Sequence, residues 1–305
     1  MTNKPTLAID IGGTKIAGGI VSFEKDGFEI SDYQKIKTPS GKKEFIEAIE
    51  KIIKSGLDKS KFSQVGVAIP GQVDSKKGKI IFAPALAYLK ECQIKKILGN
   101  KFKKLTVEIE NDMNCCALAE SKFGAGRKYR NVLAVTISTG VGAGIIMDNK
   151  VYHGENNIAG EIGHLVLVPD GIKCSCGNRG CLEKYVSGPA LEREYFKLTG
   201  VKKTPLEIEK EFKLNKKNNP AGKIVKEMSR MLGIGLTSVI NILNPGVIVV
   251  IGGISKMSGI LDEARQEIKK NVLIPARKTK IVKSKLGDKG VLIGAAMLEE
   301  NSTLS

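Results

Sequence analysis

The residues with the clearest chemical signature are three cysteines and a histidine that fall within one short segment of the 305-residue chain. They follow the pattern His-x9-Cys-x-Cys-x4-Cys, formed by His164, Cys174, Cys176 and Cys181. Three thiolates and one imidazole make a closed tetrahedral zinc site, which has a structural role because no coordination position stays open. Such an ion would fix the loop that carries Glu161 and Glu183. Separate buried thiols are the alternative interpretation.

Two glycine-rich turns, each between apolar runs, offer backbone amides to a phosphate. The first reads Asp-Ile-Gly-Gly-Thr over residues 10–14, and the second reads Ser-Thr-Gly-Val-Gly over residues 138–142. Exposed amides attract phosphate oxygens, a threonine hydroxyl can donate to them, and a carboxylate can hold Mg²⁺ through water. Each turn alone is weak evidence, but two together would hold a triphosphate from both sides.

Other nucleotide motifs fit less well. No G-x-x-x-x-G-K-[ST] sequence occurs, and the glycines at 140, 142 and 144 are not followed by a helical pattern. Gly252 and Gly253 follow an apolar, β-branched run at residues 247–251, where a nucleoside could lie against the backbone. An ordinary turn between a strand and a helix is the alternative there.

A carboxylate suited to proton transfer lies in the sequence Glu110-Asn111-Asp112, between a predicted strand at 104–109 and a predicted helix at 114–123. Phosphoryl transfer to an alcohol needs positioning, Mg²⁺ and a carboxylate that accepts the hydroxyl proton. Asp112 suits that role, and Asn111 could fix neighbouring hydroxyls. Taken alone, an Asn-Asp pair before a helix is more often a helix cap.

The elements that must position these residues are read from hydrophobic periodicity. Strands are predicted at residues 6–11, 16–23, 64–69 and 247–251, helices at 42–53 and 292–298, and an irregular segment at 150–185. Residues 7–21 (LAIDIGGTKIAGGIV) and 133–147 (LAVTISTGVGAGIIM) align without a gap. This repeat indicates two related halves, although any two hairpins with glycine turns look alike.

Composition and charge bear on partners. The net charge of +17 rests on scattered lysines, aromatic residues are only 5% and tryptophan is absent. Nucleic-acid readers favour arginine and aromatic platforms, so a solvated lysine-rich surface, without a nucleic-acid or membrane partner, is the expectation. The uncharged stretch at 231–255 is interrupted by Asn244, Pro245 and Gly246, and is therefore interpreted as a helix, a turn and a buried strand. No secretory signal is visible, so the six cysteines do not imply disulfides and a cytoplasmic protein is expected.

With these motifs in place, the chain resembles the ROK family (repressors, open reading frames and sugar kinases) of the actin-like ATPase superfamily. The resemblance runs over nearly the whole chain, and the zinc segment from Glu161 to Glu183 is its specific part. It implies a two-domain α/β, ribonuclease H-like fold with a cleft between the domains. We expect a small domain at residues 1–118, completed by a C-terminal helix at about 289–305, and a large domain at 119–288.

The resemblance also implies roles for individual residues. Asp112 matches the catalytic base of an ATP-dependent sugar kinase that uses Mg²⁺ and carries structural Zn²⁺. Positions that match sugar-binding residues are Asn111, Asp112, Glu161, His164 and Glu183. Positions that match nucleotide, phosphate or Mg²⁺ contacts are Asp10, Gly12, Gly13, Thr14, Lys15, Thr139, Gly140, Gly252 and Gly253. Many members of the family are homodimers or homotetramers.

The identity of the sugar stays open at this stage. Glucose, phosphorylated on its 6-hydroxyl, is the first expectation, and N-acetylmannosamine, N-acetylglucosamine and fructose are alternatives. Ala85 stands where such kinases usually have a sugar-binding asparagine, which removes a hydrogen bond worth about 0.5–1.5 kcal/mol. A non-catalytic sugar sensor or ROK transcriptional regulator is the alternative from another class. A regulator needs a helix-turn-helix ahead of the first strand, where this sequence has only nine residues before Asp10.

Overall fold

The computed structural model describes residues 4–25, 27–214 and 219–298. These residues form two compact α/β units. The first unit contains the described residues up to 127, residues 149–159 and the described residues from 288 onwards, and the second contains residues 128–148 and 160–287.

The regular elements are numbered in chain order. The strands are β1 (Thr6–Ile11), β2 (Lys15–Phe23), β3 (Phe28–Lys37), β4 (Gln64–Ile69), β5 (Gln72–Asp74), β6 (Lys79–Phe82), β7 (Thr106–Asn111), β8 (Val132–Ile137), β9 (Val141–Met147), β10 (Lys150–Val151), β11 (Val247–Ile251) and β12 (Lys280–Lys283). The helices are α1 (Lys42–Leu57), α2 (Ile94–Lys101), α3 (Asp112–Lys122), α4 (Gly188–Thr199), α5 (Pro205–Leu214), α6 (Pro220–Leu243), α7 (Asp262–Asn271) and α8 (Gly290–Ala296).

The first unit is built on a five-stranded sheet in the order β3-β2-β1-β4-β7. β1 pairs antiparallel with β2 and parallel with β4, and β4 pairs parallel with β7. Alternate residues of these strands enter two different cores, as the two-residue period of a strand requires. One core contains Ile9 and Val67 with Phe45 of α1, and the other contains Ala8 and Ala68 with residues of α3 and α8.

Small residues let α8 pack closely within this unit. A Cβ atom on Gly66 of β4 would lie 1.8 Å from the carbonyl oxygen of Ala295. A Cβ atom on Gly294 would lie 1.8 Å from the carbonyl oxygen of Cys115 in α3. The backbone of α8 therefore contacts the sheet and α3 directly. Residues 299–305, which the predicted C-terminal helix included, lie outside the described residues.

The second unit repeats the topology of the first. β8 pairs antiparallel with β9 and parallel with β11, and β11 pairs parallel with β12. Each unit thus contains an antiparallel hairpin beside two parallel strands, in the same order. This correspondence agrees with the duplication that the aligned hairpins at 7–21 and 133–147 indicate.

The uncharged stretch at 231–255 folds as the sequence predicts. Helix α6 ends at Leu243, Asn244 adopts the left-handed conformation with φ 43°, and β11 follows with all five residues buried. Among the described residues, no helix combines the length and the hydropathy that crossing a bilayer requires.

The domain boundary predicted at residues 118/119 stays a prediction, and the grouping of the described residues differs from it in two places. The first unit keeps all of α3, which runs to Lys122, and it also includes residues 149–159. The helix predicted at 114–123 begins two residues earlier than expected, at Asp112, and β7 runs on to Asn111. The cause is local, because Asn111 caps the helix directly after the strand.

Candidate active site

In the first unit, the predicted phosphate turn and the predicted catalytic carboxylate lie at the same edge of the sheet. β1, β4 and β7 are parallel, and their register aligns Asp10 with Ala68 and Ala68 with Glu110. The glycine turn that follows β1 and the Asn111-Asp112 pair that follows β7 therefore emerge together at the carboxyl ends of the strands. Two strand spacings, roughly 10 Å in total, separate them.

The turn at residues 11–15 is short and partly exposed. The backbone N–H of Gly12 donates to the carbonyl oxygen of Lys15 at 2.8 Å, and Thr38 Oγ1 donates to the carbonyl oxygen of Gly12 at 2.7 Å. Gly13 and Thr14 are exposed, so their amides and the hydroxyl of Thr14 can reach a ligand. Lys15 is also exposed and opens β2.

Ala85 lies beside this turn. A Cβ atom on Gly13 would lie 2.9 Å from Cβ of Ala85, which belongs to a 3-10 segment at Pro84–Leu89. The side chain of Tyr88 anchors that segment, since its hydroxyl donates to the carbonyl oxygen of Pro39 at 2.5 Å. The position where sugar kinases of this type usually have asparagine is thus directly next to the predicted phosphate turn.

The carboxyl group of Asp10 has a raised pKa. Burial raises the pKa of the Asp10 carboxyl from its ordinary value of 3.8 to about 6, Lys35 opposes this increase and Asp288 adds to it. The register places Ala17 between Asp10 and Lys35 across three strands. A buried carboxylate that ionises reluctantly is well suited to a cation, because a bound cation restores the charged form. Oxygen donors of this kind match Mg²⁺.

Asn111 caps α3 and Asp112 is its first residue. The geometry is compatible both with a helix cap and with a catalytic carboxylate. Asn111 Oδ1 accepts hydrogen bonds from the backbone N–H groups of Met113 at 2.8 Å and Asn114 at 3.1 Å, so Asn111 is the helix cap. Its Nδ2 donates to the carbonyl oxygen of Gly71 at 2.8 Å. Asp112 Oδ1 accepts from the N–H of Met113 at 2.8 Å. The cap therefore fixes the carboxylate of Asp112 at the start of the helix. Nδ2 of Asn111 has a second N–H that could donate to a ligand.

A buried ion pair that the sequence analysis missed supports this turn. His153 Nε2 lies 2.6 Å from Glu110 Oε2, and Glu110 is only 4% exposed. His153 is one of two histidines in the chain, and both lie near the predicted zinc segment. That scarcity is the one signal the sequence offers, because no spacing rule connects residue 153 with residue 110.

In the second unit, the other predicted nucleotide residues lie at adjacent strand ends. β8 and β11 are parallel, with Thr136 opposite Ile251, so the turn containing Thr139 and Gly140 is next to Gly252 and Gly253. Gly252 has φ +92°, and a Cβ atom there would lie 2.5 Å from the carbonyl oxygen of Ile137. Apart from its chain neighbours, no atom of the described residues lies within 4 Å of the Cβ position of Gly253, so a ligand could approach this backbone.

The four predicted zinc ligands converge in the second unit. One ligand atom from each of the four residues lies within 4.8 Å of the others, and the residues are His164, Cys174, Cys176 and Cys181. The Sγ atoms of Cys176 and Cys181 are 3.7 Å apart, and Cys174 Sγ is 3.7 Å from His164 Nδ1. A zinc ion bonded to sulfur at about 2.3 Å separates two tetrahedral sulfur ligands by about 3.8 Å. The donor set and its spacing therefore fit zinc.

The same segment orients the two predicted sugar-binding glutamates. His164 directs Nδ1 towards the thiols, and its Nε2 is 3.9 Å from Glu161 Oε2. Glu183 Oε1 is 3.6 Å from Cys174 Sγ, while Glu183 Oε2 is 3.0 Å from the Cβ position of Gly140. Glu183 therefore bridges the zinc ligands and the turn after β8. Outside this group, the side chains of Cys115 and Cys116 in α3 and of Cys92 are buried.

The structure thus gathers the predicted residues into two groups. The first unit holds Asp10, Gly12, Gly13, Thr14, Lys15, Asn111 and Asp112. The second unit holds Thr139, Gly140, Glu161, His164, Cys174, Cys176, Cys181, Glu183, Gly252 and Gly253. The predicted arrangement of the two groups across one cleft stays a prediction.

Comparison with known proteins gives a consistent result over nearly the whole chain. Residues 6–302 match the ROK family. A glucokinase from Streptomyces coelicolor is 31% identical over 96% of both chains. An N-acetyl-D-glucosamine kinase from Vibrio cholerae is 31% identical over 95% of this chain and 97% of its own. The crystal structure of a ROK family glucokinase from Streptomyces griseus in complex with glucose and AMPPNP aligns with a TM-score of 0.80 and 30% identity, over 96% of this chain and 98% of that one. The chain belongs to the ROK family and has the two-domain actin-like ATPase fold of its sugar kinases.

Proposed function

We propose that this protein is an ATP-dependent sugar kinase that transfers the γ-phosphoryl group to a hydroxyl of a hexose, with the 6-hydroxyl of glucose as the first candidate. The observation that carries the proposal is the position of Asp112, which starts α3 at the sheet edge that also bears the turn at residues 11–15. Support comes from the glucokinase of Streptomyces coelicolor and from the Streptomyces griseus glucokinase, which binds glucose and the ATP analogue AMPPNP.

Each residue of the first unit has a role in this reaction. The amide of Gly13 and the hydroxyl of Thr14 bind phosphate oxygens, while the N–H of Gly12 donates to the carbonyl oxygen of Lys15 and closes the turn. Asp10 holds Mg²⁺ through water, and the ion supplies positive charge to the phosphate oxygens when it is bound. Asp112 accepts the proton of the attacking hydroxyl as the new O–P bond forms and the bond between the γ-phosphorus and the bridging oxygen breaks, so that ADP leaves.

The second unit contributes the remaining substrate contacts in this proposal. Thr139 and Gly140 bind phosphate oxygens, and Gly252 and Gly253 lie against the nucleoside. Glu161, His164 and Glu183 bind sugar hydroxyls. His164 and the three cysteines hold a structural zinc ion, which fixes the positions of the two glutamates without taking part in the transfer.

The acceptor sugar has alternatives to glucose. The relative from Vibrio cholerae is named an N-acetyl-D-glucosamine kinase, which makes N-acetylhexosamines specific alternatives. Ala85 beside Gly13 removes an amide that would bind a hydroxyl, so discrimination by that contact is lost. N-acetylmannosamine and fructose are therefore tested along with glucose and N-acetylglucosamine.

We also infer a cytoplasmic homodimer or homotetramer that has neither nucleic acid nor membrane as a partner. The lysine-dominated charge with 5% aromatic residues supports the second part. Light scattering coupled to size exclusion measures the mass of the assembly, and a monomer would contradict the first part.

The experiment that tests the function is a screen of these four sugars with ATP and Mg²⁺, in which ADP formation is measured by a coupled assay and the sugar phosphate by mass spectrometry. We expect one sugar to give turnover well above the sugar-independent ATPase rate. If calorimetry detects sugar binding but no sugar yields a phosphate ester, a non-catalytic sugar sensor replaces the kinase.

A further inference from the structure

The two oxygens of the Glu110 carboxylate have separate tasks. Oε1 accepts a hydrogen bond from the backbone N–H of Asn111 at 2.7 Å and another from Asn114 Nδ2 at 3.0 Å. Oε2 lies 2.6 Å from His153 Nε2. One oxygen therefore holds the residue directly before Asp112, and the other binds a histidine from a segment 43 residues further along the chain.

The ion pair with His153 stabilises the ionised carboxylate of the buried Glu110. Glu110 is 4% exposed, and a buried carboxylate is costly unless it is paired and hydrogen-bonded. The hydrogen bond to Glu110 raises the pKa of His153, while burial and Lys76 act in the opposite direction. The hydrogen bond to Glu110 therefore favours the charged form of His153. Ser75 Oγ, at 3.4 Å from Nε2, is an uncharged neighbour.

Hydrogen bonds link the ion pair between Glu110 and His153 to the start of α3, where Asp112 lies. Asn114 is 6% exposed, and among the described residues its Oδ1 has no hydrogen-bond partner. Its side chain therefore depends on Glu110, while its backbone N–H binds the Asn111 cap. If the Glu110 side chain turned away, the backbone N–H of Asn111 would lose its hydrogen bond to Oε1. Nδ2 of Asn114 would lose its hydrogen bond to the same oxygen. Both residues flank the start of α3, where Asp112 is held.

We propose that His153 is a positioning residue for phosphoryl transfer: its ion pair with Glu110 fixes the Glu110-Asn111-Asp112 turn so that Asp112 is aimed at the acceptor hydroxyl. This proposal rests on the kinase function proposed above. His153 contacts neither the sugar nor ATP and acts through Glu110. A misplacement of about 1 Å in a catalytic group can reduce a rate by about 100-fold, so a change two contacts away can still be seen in kcat.

The test uses two substitutions at His153 and a neighbouring control. His153→Gln keeps a hydrogen-bond donor but removes the positive charge, and His153→Arg keeps the charge. Tyr152→Phe alters the adjacent, 46% exposed side chain and serves as the control. We expect His153→Gln to lower kcat by about 10- to 100-fold with little change in KM for ATP, His153→Arg to recover most of kcat, and Tyr152→Phe to match the wild type.

The pH profile distinguishes positioning from a general loss of stability. Because the hydrogen bond to Glu110 raises the pKa of His153, the charged pair persists to higher pH than it would with an unshifted histidine, and it is lost as the pH rises through the raised pKa. The wild-type kcat should therefore fall on the alkaline side, and this decrease should be absent in His153→Gln, whose rate is low throughout. Lys76 and Glu110 are the charged groups that act on His153, so Lys76→Gln should move the decrease to higher pH.

A spectroscopic measurement keeps the proposal testable if a variant fails to fold. The chain has two histidines, and sequential resonance assignment of the wild-type protein distinguishes their imidazole NMR signals without a variant. The midpoint of the His153 titration in the wild type should coincide with the alkaline decrease in kcat. A mismatch, or a His153→Gln variant with wild-type kcat, overturns the positioning role alone. Absence of any sugar phosphorylation by the wild type overturns the kinase function instead, and the positioning role with it.

Discussion

Replacing Asp10 by asparagine should stabilise the protein in the absence of ligands while abolishing its kinase activity. Asp10 is held in a buried environment that raises its pKa from 3.8 to about 6. The folded protein therefore disfavours the ionised carboxylate, which is nevertheless the form that holds Mg²⁺. Asparagine has nearly the same shape and carries no charge, so it removes this destabilising contribution together with the cation site.

The magnitude follows from the linkage between proton binding and folding. A group whose folded-state pKa is raised contributes stability below its unfolded pKa, and this stability is lost as the pH rises through the folded pKa. For values of 3.8 and about 6, ionised Asp10 lowers the free energy of unfolding by about 1 kcal/mol at pH 4.5 and by about 3 kcal/mol at pH 7.5. The advantage of Asp10→Asn should increase between these two pH values.

Urea unfolding without Mg²⁺ or nucleotide, at pH 4.5 and pH 7.5, measures this difference. Asp58→Asn is the matched control, because it removes an exposed carboxylate from the same unit. We expect the control to be neutral at both pH values. An Asp10→Asn variant that is no more stable than the wild type at pH 7.5, or one whose advantage does not depend on pH, would refute the reasoning from burial.

Two further predictions concern the metal and the packing of α8. Purified protein should contain one zinc ion per chain. In elemental analysis, Cys176→Ser should have a lower zinc content, and the neighbouring Ser175→Ala should have the wild-type content. Equal zinc content in the two variants would contradict the four-ligand site. Gly66→Ala should lower the free energy of unfolding by at least about 2 kcal/mol, because its Cβ would lie 1.8 Å from the carbonyl oxygen of Ala295. A Cβ atom on Gly99 in α2 would meet no atom of the described residues within 4 Å beyond its own stretch of helix, so Gly99→Ala should raise the free energy of unfolding by about 0.5–1 kcal/mol. Similar effects of the two glycine substitutions in urea unfolding would argue against close packing of α8.

Elements whose limits are marked by local residues could be predicted closely. The strand predicted at residues 64–69 has the observed limits because Pro70 and Gly71 end the apolar run. The start of α3 was misjudged by two residues because a capping asparagine directly follows the strand and leaves no loop between them. β3 was not predicted, because most of its residues are exposed and polar or charged residues interrupt its apolar positions Phe28, Ile30 and Ile36.

In the candidate site, residues close together in the sequence could be predicted, whereas contacts between distant residues could not. The zinc ligands could be predicted because soft ligands in one short segment are informative without knowledge of the fold. The contact between Glu110 and His153 could not, because it depends on the path of the chain between β7 and the segment after β10. The sheet register that aligns Asp10 with Glu110 likewise follows from strand order, which no local pattern specifies.

The most direct test of the central claim is the rate of phosphoryl transfer by Asp112→Asn, measured with the preferred sugar by mass spectrometry of the sugar phosphate. Calorimetric titration of the sugar and of AMPPNP in parallel shows whether binding is retained. We predict near-normal binding and a kcat lowered by about 10²- to 10⁴-fold, which is the usual contribution of a general base. A variant that transfers phosphate at the wild-type rate would contradict the assignment of Asp112 as the proton acceptor.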